Sequence, residues 1–299
     1  MSRVVALVGT TASGKTELAH AAALAHGATE IVAMDAMTAY RGMDLGTAKP
    51  TAAQRAEVPY HLVDVLDPSE ELTVRRFQDM CEAALAGIED RGHVALLVGG
   101  SGLYHRAVVD RLSIPPSDGT TRERLEARAA SEGAASLHDE LEARDPVAAS
   151  RIDPSNVRRT VRALEVVELT GRPFSSFGAG LSVYPATQVV QLGIAFDARA
   201  VDRAIAARLE RFVEEGLLDE VRALAARPGG LSRTARQAVG YAQLLEHLEG
   251  TTTLEDALAA AQRATRRLAR RQWRWFRRDP RISWHDGAAA TGAALRAAL

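Results

Sequence analysis

The chain has 299 residues, of which 46% are apolar, and its formal net charge is −1. This length suits one large domain with an insertion or two domains, and the balanced charge excludes a protein that is basic throughout, so any surface for nucleic acid must be local. A single cysteine excludes an intramolecular disulfide, and no apolar run approaches the ~20 residues of a membrane span. The first predicted strand begins so early that it leaves no room for a signal peptide. We therefore expect a cytoplasmic protein without membrane attachment.

The chain begins with a predicted strand, a glycine loop and a helix. Val4–Val8 is a β-branched apolar run typical of a buried strand, and Glu17–His26 is rich in Ala and Leu, as helices are. The segment between them, GTTASGKT from Gly9, matches the phosphate-loop pattern G-x-x-x-x-G-K-[ST] at every fixed position. This order aims backbone N–H groups and a helix N-terminus at an anion, with Lys15 as an added charge and Thr16 Oγ as a ligand for Mg²⁺.

Alternating strands and helices follow. Further strands are predicted at Glu30–Met34, Tyr60–Val65, Val94–Val98 and Gln188–Phe196, and helices at Thr73–Glu89, Asp202–Ala226 and Thr234–His247. Residues 120–170 contain only helical runs, and the Gly/Ser/Pro-rich segment 171–185 predicts a flexible connection. We therefore predict an α/β fold with a P-loop NTPase-like parallel sheet flanked by helices. Its catalytic core would comprise residues 1–116 and 186–299, and residues 117–185 would form a helical insertion domain.

The last predicted helix begins at Thr252, which has capping-box spacing with Glu255, and runs to about Arg278. Nine arginines and one acidic residue lie between residues 263 and 281, interleaved with three aromatic residues. One interpretation is an RNA surface, where arginine binds phosphates and an aromatic ring stacks on a base. The other is a solvated helix face with its aromatic residues in the core. The lack of acidic residues one turn away favours an anionic partner.

Two features follow predicted strands at the edge where open α/β sheets bind ligands. Asp35 follows the second strand, which we expect beside the first, and it could serve as a general base, a metal partner, a helix N-cap or a solvated loop residue. The turn 99–102 follows the fourth strand, and its glycines would allow close approach to a ligand while Ser101 offers a hydroxyl; a tight turn with a capping serine is the alternative. These residues alone indicate a P-loop enzyme for a phosphorylated small molecule, with a kinase as the default.

Seven segments in order resemble the bacterial type of the tRNA dimethylallyltransferase (tRNA isopentenyltransferase) family. They are GTTASGKT at Gly9, DAMTAYRGMDLGTAKP at Asp35, YHLVDVLDP at Tyr60, LLVGGSGLYHRA at Leu96, DPVAASRIDPSNVRRTVRALEVVELTGRP at Asp145, AVGYAQL at Ala238 and ATRRLARRQWRWFRR at Ala264. The phosphate loop is common to many enzymes, whereas the segment at Asp35 and the arginine-rich helix are far more specific.

The resemblance implies transfer of a dimethylallyl group from dimethylallyl diphosphate to the exocyclic N6 amine of the adenosine just 3′ of the anticodon. The phosphate loop would hold the diphosphate leaving group. Asp35 matches the family's general base, Lys15 would stabilise the leaving group with Mg²⁺ at Thr16, and Ser101 stands where threonine is usual, near the donor and the amine. The implied diphosphate-binding residues are Gly9, Thr10, Thr11, Ala12, Ser13, Gly14, Lys15 and Thr16, with Arg236 or Gln237 where some members carry arginine.

The resemblance also implies contact with the anticodon stem-loop, whose adenine must be flipped out to reach Asp35. The implied tRNA-binding residues are Asp35, Ala36, Met37, Thr38, Ser101, Arg122, Arg159, Thr160, Val161, Arg162, Ala163, Arg263, Arg266, Arg267, Arg270 and Gln272. We expect a monomer whose partners are tRNA and dimethylallyl diphosphate. The alternatives are an adenylate isopentenyltransferase, a small-molecule P-loop kinase and an RNA-binding P-loop protein that switches with nucleotide. The insertion and the basic helix argue against the first, because a mononucleotide needs no extended basic surface.

Overall fold

In the computed structural model, which describes residues 3–177, 181 and 183–299, six parallel strands form one sheet in the order β3-β2-β4-β1-β5-β6. The strands are β1 (Val4–Val8), β2 (Thr29–Ala33), β3 (Tyr60–His61), β4 (Val94–Gly99), β5 (Val190–Ile194) and β6 (Ile282–His285). The helices are α1 (Lys15–His26), α2 (Ala52–Glu57), α3 (Val74–Asp90), α4 (Gly102–Val109), α5 (Gly119–Glu132), α6 (Ala134–Arg144), α7 (Pro146–Ala149), α8 (Val157–Thr170), α9 (Ala198–Glu214), α10 (Leu217–Ala225), α11 (Arg233–Arg236), α12 (Tyr241–Leu248), α13 (Leu254–Phe276) and α14 (Gly287–Ala298). The α/β prediction is confirmed.

Helices cover both faces of the sheet. Successive strand residues point to opposite faces, so Ala6 and Leu7 of β1 enter different cores. One core receives α3 and α12, and the other receives α1 and α14. This double cover explains why β1 and β4 are almost wholly apolar. Cys81 of α3 is fully buried in the first core, where desolvation raises the pKa of its thiol to about 12, so it is a packing residue.

The strand order places the three candidate segments at one edge of the sheet. Val8 of β1 pairs with Gly99 of β4, and Ala33 of β2 pairs with Val98, so all three strands end at the same level. The expectation that β2 lies beside β1 is wrong, because β4 lies between them. The turn after β4 therefore lies between the phosphate loop, which follows β1, and Asp35, which follows β2.

Several predicted element boundaries are also wrong. The third strand ends at His61 rather than Val65, because Leu62 and Asp64 have left-handed φ angles of 62° and 57° that a strand cannot contain. The predicted helix 202–226 is two helices, α9 and α10, and the predicted helix 234–247 is α11 and α12. Thr253, not Thr252, caps α13 by accepting the Asp256 N–H. Sequence reasoning did not anticipate α2, β6 or α14.

The chain divides into two compact units, one of Met1–Val109 with Ala186–Leu299 and one of Asp110–Pro185. The second unit is the helical insertion: α5 to α8 pack around a small apolar core that includes Leu125, Leu141 and Leu164. A 3₁₀ turn at Phe174–Ser176 occupies part of the predicted flexible connection. Residues 178–180 and 182 of that connection lie outside the described residues.

Candidate active site

A cavity of about 680 Å³ opens at the carboxyl edge of the sheet. It brings together Lys15, Thr16, Asp35, Ser101 and Gln237, which are distant in the sequence. The remaining wall includes the loop residues from Thr11 to Gly14, the segment Ala36–Thr38, and residues of α9 and α13. The residues that the sequence predicted to be catalytic therefore line one cavity.

The phosphate loop carries its lysine inward. Lys15 Nζ donates to the Thr10 carbonyl oxygen at 3.1 Å, at the start of the loop. Desolvation lowers the pKa of Lys15 to about 8; the charge of Asp35 opposes that shift, and the charge of Arg208 adds to it. The hydroxyls of Thr10 and Ser13 are buried without a hydrogen-bond partner. A partly desolvated cation beside a second cation is an arrangement that a bound anion would stabilise.

Thr11 joins the loop to two distant helices. Its backbone N–H donates to Gln272 Oε1 of α13 at 2.7 Å, and its Oγ1 accepts from Arg208 Nη2 of α9 at 2.8 Å. Burial lowers the pKa of the Arg208 guanidinium, and the nearby charge of Arg211 lowers it further. Both arginines line the cavity, and sequence reasoning missed them, because α9 has no local motif and only folding brings it to the loop.

The two residues proposed for a diphosphate contact near α12 differ in placement. Gln237 lines the cavity. Arg236 is half-exposed, donates to Glu249 at 2.6 Å and is not part of the cavity wall. Of the two, only Gln237 therefore lies in the cavity wall, where Arg208 contributes a guanidinium group.

Asp35 fulfils a structural role and still faces the cavity. Its Oδ1 accepts the Met37 N–H at 3.0 Å, and its carbonyl oxygen accepts from Thr38 Oγ1 at 2.9 Å. These bonds make a tight turn directly after β2. Ala36 and Thr38 are nearly buried while lining the cavity. Only one carboxylate oxygen of Asp35 is used in the turn. A structural role in the loop is therefore compatible with a role as general base or metal partner.

A buried lysine holds the long loop that follows Asp35. Lys49, whose side chain is 2% exposed, donates to the Tyr40 carbonyl oxygen at 2.7 Å and to carboxylate oxygens of Asp44 and Asp64 at 2.6 Å each. Arg55 donates to the other oxygen of Asp64 at 2.6 Å. Burial alone would raise the pKa of Asp64, but the hydrogen bonds and charges of these two cations lower it. The network fixes the loop against the chain after β3.

The glycines of the turn after β4 make room for α13. A Cβ at Gly100 would lie 2.5 Å from Gln272 Nε2, and a Cβ at Gly102 would lie 2.2 Å from Trp275 Cδ1. Both distances are shorter than any real contact, so packing accounts for these glycines without a ligand. Ser101, between them, lines the cavity.

The aromatic residues of α13 are packed. Trp273 lies edge-on to Trp284 of β6 with ring centroids 4.7 Å apart, and Phe276 is buried edge-on against His105 at 5.6 Å. Trp275 packs against Gly102, but Trp273 and Trp275 are only partly buried. The core interpretation is therefore confirmed for Phe276, whereas the two tryptophans are packed and keep some exposed surface.

The four arginines of α13 that the resemblance implies as RNA contacts form two groups. Arg266 and Arg270 face Asp202 of α9, with N–O distances of 3.9 and 2.9 Å. The acidic counter-charge that α13 lacks one turn away from these two arginines is therefore supplied by α9. Arg263 and Arg267 are exposed.

Within the insertion, two arginines predicted to contact RNA instead form hydrogen bonds with a buried carboxylate. Glu165 is fully buried and accepts from Arg122 Nη2 at 2.9 Å, Arg162 Nη1 at 2.9 Å and the Asp118 N–H at 2.8 Å. The Thr160, Val161 and Ala163 side chains are buried in this unit and offer no side-chain surface to RNA. Arg159 is exposed.

The donor set suits a metal ion that arrives with phosphate. Among the described residues, no group of three or more His, Cys, Asp or Glu side chains could hold a metal, and no described helix is long and apolar enough to cross a membrane. Thr16 and Asp35 place a hydroxyl and a carboxylate on the cavity wall. Mg²⁺ commonly takes one or two protein oxygens together with phosphate oxygens and water, so these residues fit it.

Comparison with known proteins shows extensive similarity. A model of the IPP transferase family matches residues 38–279. The tRNA dimethylallyltransferase of Bifidobacterium longum is 48% identical over 287 residues, covering 94% of this chain and 86% of the relative. That of Kineococcus radiotolerans is 50% identical over 286 residues, covering 94% and 90%. The crystal structure of a tRNA isopentenylpyrophosphate transferase from Bacillus halodurans has a TM-score of 0.67 at 39% identity, covering 96% of this chain and 90% of that one.

Proposed function

The chain belongs to the IPP transferase family, and from this premise we propose that it is a tRNA dimethylallyltransferase. It transfers a dimethylallyl group from dimethylallyl diphosphate to the N6 amine of the adenosine 3′-adjacent to the anticodon, and diphosphate is released. The observation that supports this function is a single cavity that holds the cations Lys15 and Arg208 together with the Asp35 carboxylate and the Ser101 hydroxyl. Such a cavity provides for a charged leaving group and for an amine that must lose a proton.

At the donor end, the loop amides, Lys15 and Arg208 bind the diphosphate. Negative charge accumulates on the diphosphate as the C–O bond breaks, and cations already in place stabilise it without reorganisation. Gln237, rather than Arg236, lines the cavity and donates a hydrogen bond to the diphosphate from its uncharged amide. Mg²⁺ held at Thr16 would supply further positive charge to the leaving group.

At the acceptor end, Asp35 acts as the general base. The exocyclic amine of adenine is a weak nucleophile, because its lone pair is delocalised into the ring. As the amine nitrogen bonds to the allylic carbon, the C–O electron pair leaves with the diphosphate and the amine proton passes to Asp35. The Met37 N–H holds Oδ1, so Oδ2 is the oxygen that accepts the proton. The Ser101 hydroxyl orients the reacting amine.

We assign phosphate binding to arginines in each of the two units, taken separately. Arg263 and Arg267 of α13 bind phosphates directly, and Arg266 and Arg270 do so by exchanging Asp202 for phosphate. In the insertion, Arg159 is the contact, whereas Arg122 and Arg162 hold Glu165. Because the substrate is tRNA, we also propose a cytoplasmic location, with a monomer as the active form.

A transfer assay tests this function. The protein is incubated with labelled dimethylallyl diphosphate and either an anticodon stem-loop or AMP, and ATP hydrolysis is followed in parallel. Label in the stem-loop and release of diphosphate are expected. Label in AMP alone would indicate an adenylate isopentenyltransferase, and ATP turnover without prenyl transfer would indicate a kinase.

A further inference from the structure

The Gln272 side chain lies between two loops of the candidate active site. Its Oε1 accepts the Thr11 N–H of the phosphate loop at 2.7 Å. Its Nε2 lies beside Gly100, at 2.5 Å from the position that a Cβ would occupy there. The same Cβ position is 3.0 Å from the Gly9 carbonyl oxygen. One amide group therefore contacts both the loop proposed to hold the diphosphate and the turn that carries Ser101.

The orientation of this amide is determined by its partner. A backbone N–H can donate only to the amide oxygen, so Nε2 must point toward Gly100 and cannot exchange places with Oε1. The second contact of Thr11, from Arg208 Nη2 at 2.8 Å, holds the side chain of the same loop residue. Thr11 is thus held through both its backbone and its hydroxyl, by residues 261 and 197 positions away.

We propose that Gln272 is a positioning residue for the donor rather than an RNA contact. It sets the spacing between the diphosphate loop and the Ser101 turn, and hence between the leaving group and the amine. This role rests on the proposed function, since the diphosphate is taken as the ligand of the loop. In this role, the Thr11 N–H already donates to the Gln272 side chain. The amides later in the loop are then the ones that bind the anion.

Pyrophosphate binding to the full chain without RNA tests this role separately from catalysis. Gln272→Met keeps the side-chain length and removes the acceptor, while Gln262→Met makes the same change on the same helix outside the cavity wall. We expect calorimetry to show a pyrophosphate Kd about tenfold higher for Gln272→Met, as for loss of one hydrogen bond in a charged site, with no change for Gln262→Met. The Kd for the anticodon stem-loop should stay within twofold for both.

Gly100→Ala provides a second test that leaves Gln272 in the chain. The added Cβ would displace the flexible amide and should raise the pyrophosphate Kd in the same direction. A raised stem-loop Kd with an unchanged pyrophosphate Kd for Gln272→Met would show that the residue contacts RNA, and unchanged values for both variants would also overturn the proposal. If the wild-type chain transfers the prenyl group but these variants bind pyrophosphate normally, only the role of Gln272 fails. If the wild-type chain binds no pyrophosphate, the proposed function fails as well.

Discussion

Asp202 of α9 lies 2.9 Å from Arg270 of α13, and the same carboxylate lies 3.9 Å from Arg266. In the proposed RNA complex, this carboxylate from a neighbouring helix competes with phosphate for the two arginines. Because the pair is partly exposed, its contribution to the free energy of unfolding is small, about 0–1 kcal/mol. Its larger effect is expected on RNA affinity.

Asp202→Asn should strengthen RNA binding. The change removes a negative charge from the basic surface and frees both guanidinium groups, so the stem-loop Kd should fall several-fold at low salt and its salt dependence should steepen. Filter binding across a salt series measures both quantities. Asp219→Asn, which removes an exposed acid paired with Arg222, is the matched control. Weaker RNA binding by Asp202→Asn would show that the carboxylate is needed to orient the arginines.

Replacing Arg263 and Arg267 with Gln should weaken stem-loop binding without disturbing the fold. Both side chains are exposed, and neither takes part in the α9–α13 ion pairs. Each phosphate contact that is lost should reduce the slope of log K against log salt by about one. An unaltered slope would indicate that these arginines form a solvated helix face.

Asp35→Asn should abolish most turnover while both substrates still bind. The amide retains an oxygen for the Met37 N–H, so the turn after β2 persists, but it cannot take the amine proton. Loss of a general base usually costs about 10²–10⁴ in rate. Single-turnover transfer measures this loss, and pyrophosphate and stem-loop titrations serve as controls. Turnover within a few-fold of wild type would remove Asp35 as the base.

Diphosphate affinity should fall as the pH rises through about 8. Burial lowers the pKa of Lys15 to about 8, so the free site loses this positive charge above that pH. A bound anion favours the protonated amine, so binding should take up protons near pH 8 and weaken by up to about tenfold per pH unit above it. Calorimetry in buffers of different ionisation enthalpy measures the proton uptake. In Lys15→Met, the uptake specific to this group should vanish; if it persists, another group is responsible.

Glu30 should stabilise the fold in a manner that depends on pH. The buried carboxylate accepts from Arg91 at 2.7 and 2.9 Å and lies 2.6 Å from His61 and 2.9 Å from His93. The hydrogen bonds from Arg91, opposed by burial and assisted by the histidines, lower the pKa of Glu30 from 4.5 to about 2. Since the folded pKa lies below the unfolded one, the stabilisation is complete above about pH 4.5 and is lost as the pH falls toward 2.

Urea unfolding of Glu30→Gln measures this contribution. We expect a decrease of about 2–3 kcal/mol in the free energy of unfolding at pH 7, and a difference from wild type of about half that or less at pH 3. Glu57→Gln, at a half-exposed carboxylate that pairs with His20, should show little effect at either pH. If the free energy of unfolding of Glu30→Gln differed from wild type by the same amount at both pH values, the lost stability would come from packing alone.

Local sequence was sufficient for several elements of this protein. The apolar runs of β1 and β4 predicted two buried strands, and the glycine-lysine pattern between β1 and α1 predicted a loop, all at the observed places. Such features depend on side chains within a few residues of one another. The short β6 was missed because four residues containing Ser283 and Trp284 carry little periodicity, and they become a strand only by pairing with β5.

Tertiary structure alone decided which distant residues complete the phosphate loop. From Gly9 to Thr16 the sequence determined the loop and its lysine, and the character of the arginine-rich helix was equally visible. The sequence did not determine that β4 separates Asp35 from the loop, that Arg208 and Gln272 hold Thr11, or that Asp202 pairs with Arg270. Strand order and helix packing follow from burial of apolar surface across the whole chain. The polar contacts between helices form only after that packing has brought their residues together.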